Sequence, residues 1–188
     1  MEDVALEKLR YPVGKFVKPV AITAQEIDKW IFEIESFPLK LKLAVNDLTE
    51  EELQWQYRSG SWTIQELIHH CADSHMNSFI RFKLSLTEDS PIIKPYLEDK
   101  WAQLADSSLA DTSLSLKIIE GLHQRWAILL KSLADEELNR AFVHPEHGKH
   151  FSLKENIGIY AWHCNHHLGH IKLAIQAKGE VQNNKFDQ

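Results

Sequence analysis

Cysteine is scarce in this 188-residue chain, with only Cys71 and Cys164, both at helical positions among apolar residues. Two thiols cannot build a disulfide framework, so both are expected as buried free thiols in a reducing compartment. No run of 18 apolar residues occurs, which excludes a membrane-spanning helix. The opening M-E-D-V-A-L-E-K-L-R lacks the basic start and apolar run of a secretory signal, and a cytoplasmic location is expected. Positive charge is not in excess either. The formal net charge is −6 and the pI about 6.0, which argues against a general nucleic-acid binder. A glycine-rich phosphate loop, a G-x-S-x-G elbow and a C-x-x-C pair are all missing, so none of those chemistries has a starting point.

What is present reads as one helical domain spanning 1–188, a length that supports one well-buried core. Residues 1–22, with Y-P-V-G-K-F-V-K-P-V, predict an extended surface arm. Thr23-Ala-Gln-Glu26 is a capping box. It opens a helix with Ile27, Trp30, Ile31, Ile34, Leu41, Val45 and Leu48 at three- and four-residue spacing. Pro38 lies inside that helix and predicts a kink or break near residues 36–37. A second box, Thr63-Ile-Gln-Glu66, opens a helix to about Leu86. Its line His70, Ser74, Asn77, Arg81 is either a wet face or the border of a polar cavity. Residues 88–110 break the pattern with Pro91, Pro95, Tyr96 and Trp101, and a short helix fits at 97–104. A connection this long in a compact domain is often functional, so Tyr96 and Trp101 are placed near the mouth of a site or over the end of the core. Asp111 or Ser113 caps a third long helix. The tract A-F-V-H-P-E-H-G-K-H-F holds His144, His147 and His150, read as a small hairpin turned at His147-Gly148 or as a metal tract. Ser152-Leu-Lys-Glu155 then opens the last helix, which ends at Gly179.

That last helix carries W-H-C-N-H-H-L-G-H at residues 162–170, four of the chain's 11 histidines. Residues four apart share a helix face, so His166 and His170 form a pair, with His163 on the same side. The helix is apolar on two sides and therefore buried. An imidazole enclosed there without a partner costs about 1–3 kcal/mol, and a metal ion satisfies it. A third ligand has to come from another helix, as in bundle-core metal sites. His69, His70 and His75 are the candidates. His75 falls on the apolar stripe and suits a core histidine bonded to a neighbour, whereas His69 reads as exposed.

The stretch G-S-W-T-I-Q-E-L-I-H-H-C-A-D-S-H-M-N-S-F-I-R-F-K-L-S-L-T-E (60–88), together with Y-A-W-H-C-N-H-H-L-G-H-I (160–171), closely resembles the YfiT-type members of the DinB superfamily. Y-P-V-G, K-P-Y-L-E-D-K-W and L-H-Q-R-W match as well, so the resemblance covers nearly the whole chain. It implies an all-α, up–down–down–up four-helix bundle with one divalent metal. The family's ligands, one histidine from the second helix and a His-x-x-x-His from the last, are carried over here to His70, His166 and His170. Zinc is the first expectation and nickel the second. Asn165 stands where the family often has a further histidine, a departure that bears on substrate choice.

Three neutral ligands leave open positions, the layout of a catalytic metal. Such an ion either lowers the pKa of a bound water or holds a thiol as thiolate. The resemblance implies a metal-dependent hydrolase acting on a small molecule. Transfer of a low-molecular-weight thiol such as bacillithiol is the alternative, and a metal-binding module without catalysis is the third reading. Asp73, His75 and His167 are candidates for acid–base help, and Asn77, Arg81, Tyr96, Trp101 and Trp162 for substrate contact. A homodimer is expected, with neither nucleic acid nor membrane as partner.

Overall fold

The computed structural model describes residues 2–109, 111–146 and 148–180. In chain order it contains α1 (Glu2–Arg10), α2 (Ala24–Val45), a 3-10 turn (Glu52–Gln54), α3 (Ile64–Thr87), α4 (Glu98–Trp101), α5 (Ala105–Leu109), α6 (Thr112–Lys131), α7 (Asp135–Leu138), β1 (Ala141–His144), β2 (Lys149–Ser152) and α8 (Leu153–Ala177). The four long helices start where their caps predict. Thr23 and Glu26 exchange both hydrogen bonds of a capping box, as do Thr63 and Glu66. The Asp111 carboxylate accepts from the Ser113 N–H, and the Ser152 hydroxyl from the Glu155 N–H.

The expected four-helix bundle is present, with an order that follows from who touches whom. Both α2 and α3 pack on α6 and on α8, which puts α2 and α3 on opposite corners. His69 meets Ser115 and His75 meets His123, so α3 and α6 run the same way. Ser74 meets Tyr160 and Ser78 meets Asn156, so α8 runs against α3. Ala24, Ile27 and Asp28 at the start of α2 lie beside Leu130 and Lys131 at the end of α6, while Pro38, Leu39 and Lys42 lie beside Ser113, Leu116 and Lys117 at its start, so α2 opposes α6. The result is up–down–down–up. Its centre is filled by Phe37, Leu41, Ile68, Phe82, Trp126 and Ile157.

Two local expectations are corrected. Residues 2–10 are not an extended arm but helix α1, built from good helix formers and stopped by Pro12 and by Gly14 at φ 76°. Only residues 11–22 lack regular structure. They run against α8: a Cβ on Gly169 would lie 2.8 Å from Pro12 Cγ, Trp162 Nε1 donates to the Gly14 carbonyl at 2.8 Å, and Lys18 meets Glu155 at 2.6 Å. Second, α2 passes through Pro38 without a break. Proline leaves the Ile34 carbonyl without its helical donor, and His123 Nδ1 takes that place at 2.6 Å.

Around residues 141–152 the chain forms the hairpin: β1 and β2 pair antiparallel, Phe142 opposite Phe151. His147 lies outside the described residues, as does the tail 181–188. The connection 88–110 is tied to this hairpin by Ile93 N–H to Val143 O at 3.1 Å and Val143 N–H to Pro91 O at 2.9 Å. Cys71 and Cys164 are buried free thiols, as expected, each pushed above the usual thiol pKa by burial. No described helix is long and apolar enough to cross a membrane.

Candidate metal centre

Histidines from three of the four long helices meet in the interior of the bundle. His69, His70 and His75 of α3, His123 of α6, and His166, His167 and His170 of α8 are all under 9 % exposed. His69 is therefore not exposed as expected. Its Nδ1 lies 2.8 Å from Ser115 Oγ, because α6 packs on that side of α3. Burial is the largest cause that depresses each neighbouring imidazole. His70, His123, His166 and His170 fall to about 4, and His75, His163 and His167 lie well below the usual 6.5. At neutral pH all of them are uncharged, the form that binds metal.

Among the described residues two trios bring ring nitrogens within 4.8 Å of one another: His70, His163 and His167, and His166, His167 and His170. The set implied by the resemblance, His70 with His166 and His170, is divided between them. The first trio joins two helices, and its His70 Nε2 and His163 Nε2 are 3.3 Å apart. Two nitrogens each 2.0–2.1 Å from a tetrahedral zinc ion lie about 3.3 Å apart, so the pair fits one cation as it stands. The second trio belongs to α8 alone and faces the N-terminal segment. His170 Nε2 donates to the Arg10 carbonyl at 3.1 Å, and its ring stacks on Tyr57 at 3.9 Å. The His166 ring stacks on Trp162 at 4.4 Å. The Nδ1 atoms of His166, His167 and His170 are buried with no hydrogen-bond partner.

A cavity of about 610 Å³ reaches the first trio at His163. Ser74 and Tyr160 line its inner end, and Arg81, Tyr96, His144 and Asn156 line it further out. Thus the α3 line borders a cavity at Ser74 and Arg81, though one lined by apolar side chains such as Phe142, Phe151 and Ile159 as well as polar ones. Asn77 does not join them, since its amide donates to the Asp73 carbonyl of its own helix at 2.9 Å. Of the other candidates for substrate contact, Tyr96 lines the cavity. Trp101 only packs against Tyr96, 4.6 Å away, and Trp162 serves the arm. Asp73 is half-buried and outside the lining. Burial, then the Asp106 carboxylate, raises its pKa to about 6. His75 is a core histidine bonded to His163 and His123, as its place on the apolar stripe suggested.

Several residues escaped the sequence reading. His163 was placed on the same side as His166 and His170 and was not taken as a candidate ligand, whereas the structure puts it beside His70. Tyr160 and Asn156 sit on the polar side of an apolar-looking helix, with no motif to mark them. His123 had a signal, an imidazole one turn before Trp126 on a buried stripe.

Residues 38–171 match the DinB superfamily. The chain belongs to it. The "Putative metal-dependent hydrolase YfiT" of Bacillus subtilis is 47% identical over 87% of this chain and 92% of its own length. A protein from Oceanobacillus iheyensis also named a putative metal-dependent hydrolase is 51% identical over 90% and 97%. The solved structure of YfiT, described as a probable metal-dependent hydrolase with an unusual four-helix bundle topology, superposes with a TM-score of 0.87 at 45% identity, covering 90% of this chain and 97% of that one. A mycothiol-dependent maleylpyruvate isomerase shares the fold, with a TM-score of 0.62 at 13% identity. Asn165 donates its side-chain amide to the Ala161 carbonyl at 3.1 Å.

Proposed function

We propose that the chain is a metal-dependent hydrolase-type enzyme in which His70, His163 and His167 hold one divalent ion, zinc first and nickel second. One observation carries the reading: three neutral imidazoles from two helices, His70 and His167 buried and His163 partly exposed, come together where His163 meets a cavity large enough for a small molecule. The family relatives named as metal-dependent hydrolases support it. A divalent ion in that position supplies Lewis acidity and brings a bound water toward neutral pKa. The chain's own groups do the rest. Tyr160 O–H donates to the Ser74 carbonyl at 3.2 Å, which fixes its ring against the cavity floor. Ser74 Oγ, 3.4 Å from His163 Nε2 and 3.3 Å from Tyr160 Oη, is placed to hydrogen-bond whatever enters beside the trio. Arg81 and Asn156 offer polar contacts further out.

The test incubates zinc- and nickel-loaded protein with an ester panel, and separately with a chloro-dinitroarene in the presence and absence of bacillithiol. Ester turnover that depends on the loaded metal is expected. Thiol-dependent conjugation without ester turnover would replace the hydrolase with the thiol S-transferase, and inactivity in both with metal bound would leave a binding module.

A cytoplasmic homodimer completes the proposal. Two buried free thiols suit a reducing compartment. Val17 and Val20 on the arm and Phe32, Leu39 and Leu43 on α2 expose apolar area that a second copy can cover. Light scattering is expected to give twice the chain's 21.8 kDa, and a value near one chain overturns the dimer.

A further inference from the structure

Behind His163 lies a line of hydrogen bonds that ends on a backbone carbonyl. His163 Nδ1 is 3.0 Å from His75 Nε2, His75 Nδ1 is 2.7 Å from His123 Nε2, and His123 Nδ1 is 2.6 Å from the Ile34 carbonyl oxygen. The line takes one member from each long helix: α8, α3, α6 and α2. His75 and His123 are fully buried. Phe37 and Trp126 enclose them, with ring centroids 5.3 and 6.1 Å from His75 and 5.5 and 5.7 Å from His123.

A neutral imidazole has one N–H and one lone pair, and two ring-to-ring contacts followed by one onto a carbonyl are all satisfied when each ring brings one of each. The direction of the line then follows from its end. A carbonyl oxygen only accepts, so His123 Nδ1 carries the proton and His123 Nε2 the lone pair. That lone pair requires His75 to donate from Nδ1, which leaves His75 Nε2 as acceptor. His75 Nε2 in turn requires the proton of His163 on Nδ1. His163 Nε2 is left with its lone pair, pointing toward His70 Nε2 at 3.3 Å. The opposite direction would set two lone pairs against each other 2.6 Å apart at Ile34, at hydrogen-bond distance with no proton between them.

We propose that His75 and His123 are positioning residues which, anchored on the Ile34 carbonyl, hold His163 as the Nδ1–H tautomer with Nε2 free for the metal. The inference rests on the reading of His163 as a ligand. It also gives Pro38 a use. Proline four residues after Ile34 removes the helical N–H that would otherwise occupy that carbonyl, so the anchor is open to His123. Partners behind a ligand fix ring orientation and basicity, and their loss costs roughly 10–100-fold in metal affinity.

The first arm of the test is a long-range ¹H–¹⁵N imidazole spectrum of the full-length, chelator-treated wild-type chain. His163, His75 and His123 are each expected with the proton on Nδ1, and an Nε2–H form of any of them overturns the proposal. The second arm compares zinc affinity, by chelator competition, in wild type, His75→Leu and His75→Gln, with thermal unfolding as the folding control. Leucine removes the acceptor for His163 Nδ1–H and is expected to weaken zinc about 10–100-fold. Glutamine keeps a carbonyl acceptor and is expected to recover part of the loss. Equal affinity in wild type and the leucine variant overturns the proposal. If the leucine variant does not fold, the wild-type spectrum still decides. Failure of the wild type to take up any zinc would count against the metal reading, whereas zinc uptake with an Nε2–H His163 would count against the relay alone.

Discussion

Elemental analysis of purified protein is expected to find about one divalent ion per chain, and to find almost none in His163→Ala or His70→Ala. His166→Ala and His170→Ala are expected to stay near the wild-type value. The contrast follows from geometry. His70 and His163 come from different helices and already stand 3.3 Å apart, nitrogen to nitrogen. A three-ligand site that loses one member keeps two imidazoles, too few to hold an ion against buffer or chelator. His166 and His170 are turned the other way. One ring lies on Trp162, and the other lies on Tyr57 with its Nε2 bonded to the Arg10 carbonyl. Their removal is expected to loosen the arm and lower thermal stability, not metal content. Full occupancy in His163→Ala with loss in His170→Ala would move the ion to the second trio. His167 belongs to both trios and does not discriminate.

The bundle was legible in the sequence because its signals are local: three capping boxes, an aspartate cap and apolar stripes at helical spacing fix where each long helix begins and what it buries. The histidine pair that faces α3 was harder to single out for a geometric reason. Residues 163–170 contain two overlapping His-x-x-x-His pairs, His163/His167 and His166/His170, offset by three residues. At about 100° per residue the offset turns one pair roughly 60° from the other, so both fit a buried face. What separates them is the neighbour across each face, α3 on one side and the arm with Tyr57 on the other, and single-chain periodicity carries no information on that. The same limit applies to His123 and Pro38. Each looks like a core oddity alone, and their connection exists only once α6 is laid against α2. Residues 2–10 were misread because the proline and glycine after them coloured the whole segment, although the nine residues before are good helix formers.

The chelator-treated protein is expected to unfold cooperatively as the pH falls from 6.5 toward 4, which far-ultraviolet circular dichroism will report as loss of helix. The sign follows from the buried imidazoles. In the unfolded chain they titrate near 6.5, whereas burial in the folded protein lowers His70 and His123 to about 4 and holds His75, His163 and His167 well below 6.5. Between those values the unfolded state binds protons that the folded state refuses, so stability is full above 6.5 and declines below it. A fall from 6.5 to about 4 is worth about 3 kcal/mol for one group. His70 and His123 together therefore account for about 6–7 kcal/mol, as large as the whole stability of many domains. Asp73 opposes this: its carboxyl, raised to about 6, is relieved of its burial penalty as the pH falls. It is one half-buried group against several buried ones, so the imidazoles prevail. Zinc bound to the folded state adds stability by mass action and must be displaced before its ligands accept protons. The loaded protein is therefore expected to unfold at lower pH than the chelated one. A chelated protein that keeps full helicity at pH 4 would mean that water reaches these histidines, and the relay behind His163 would lose its enclosure.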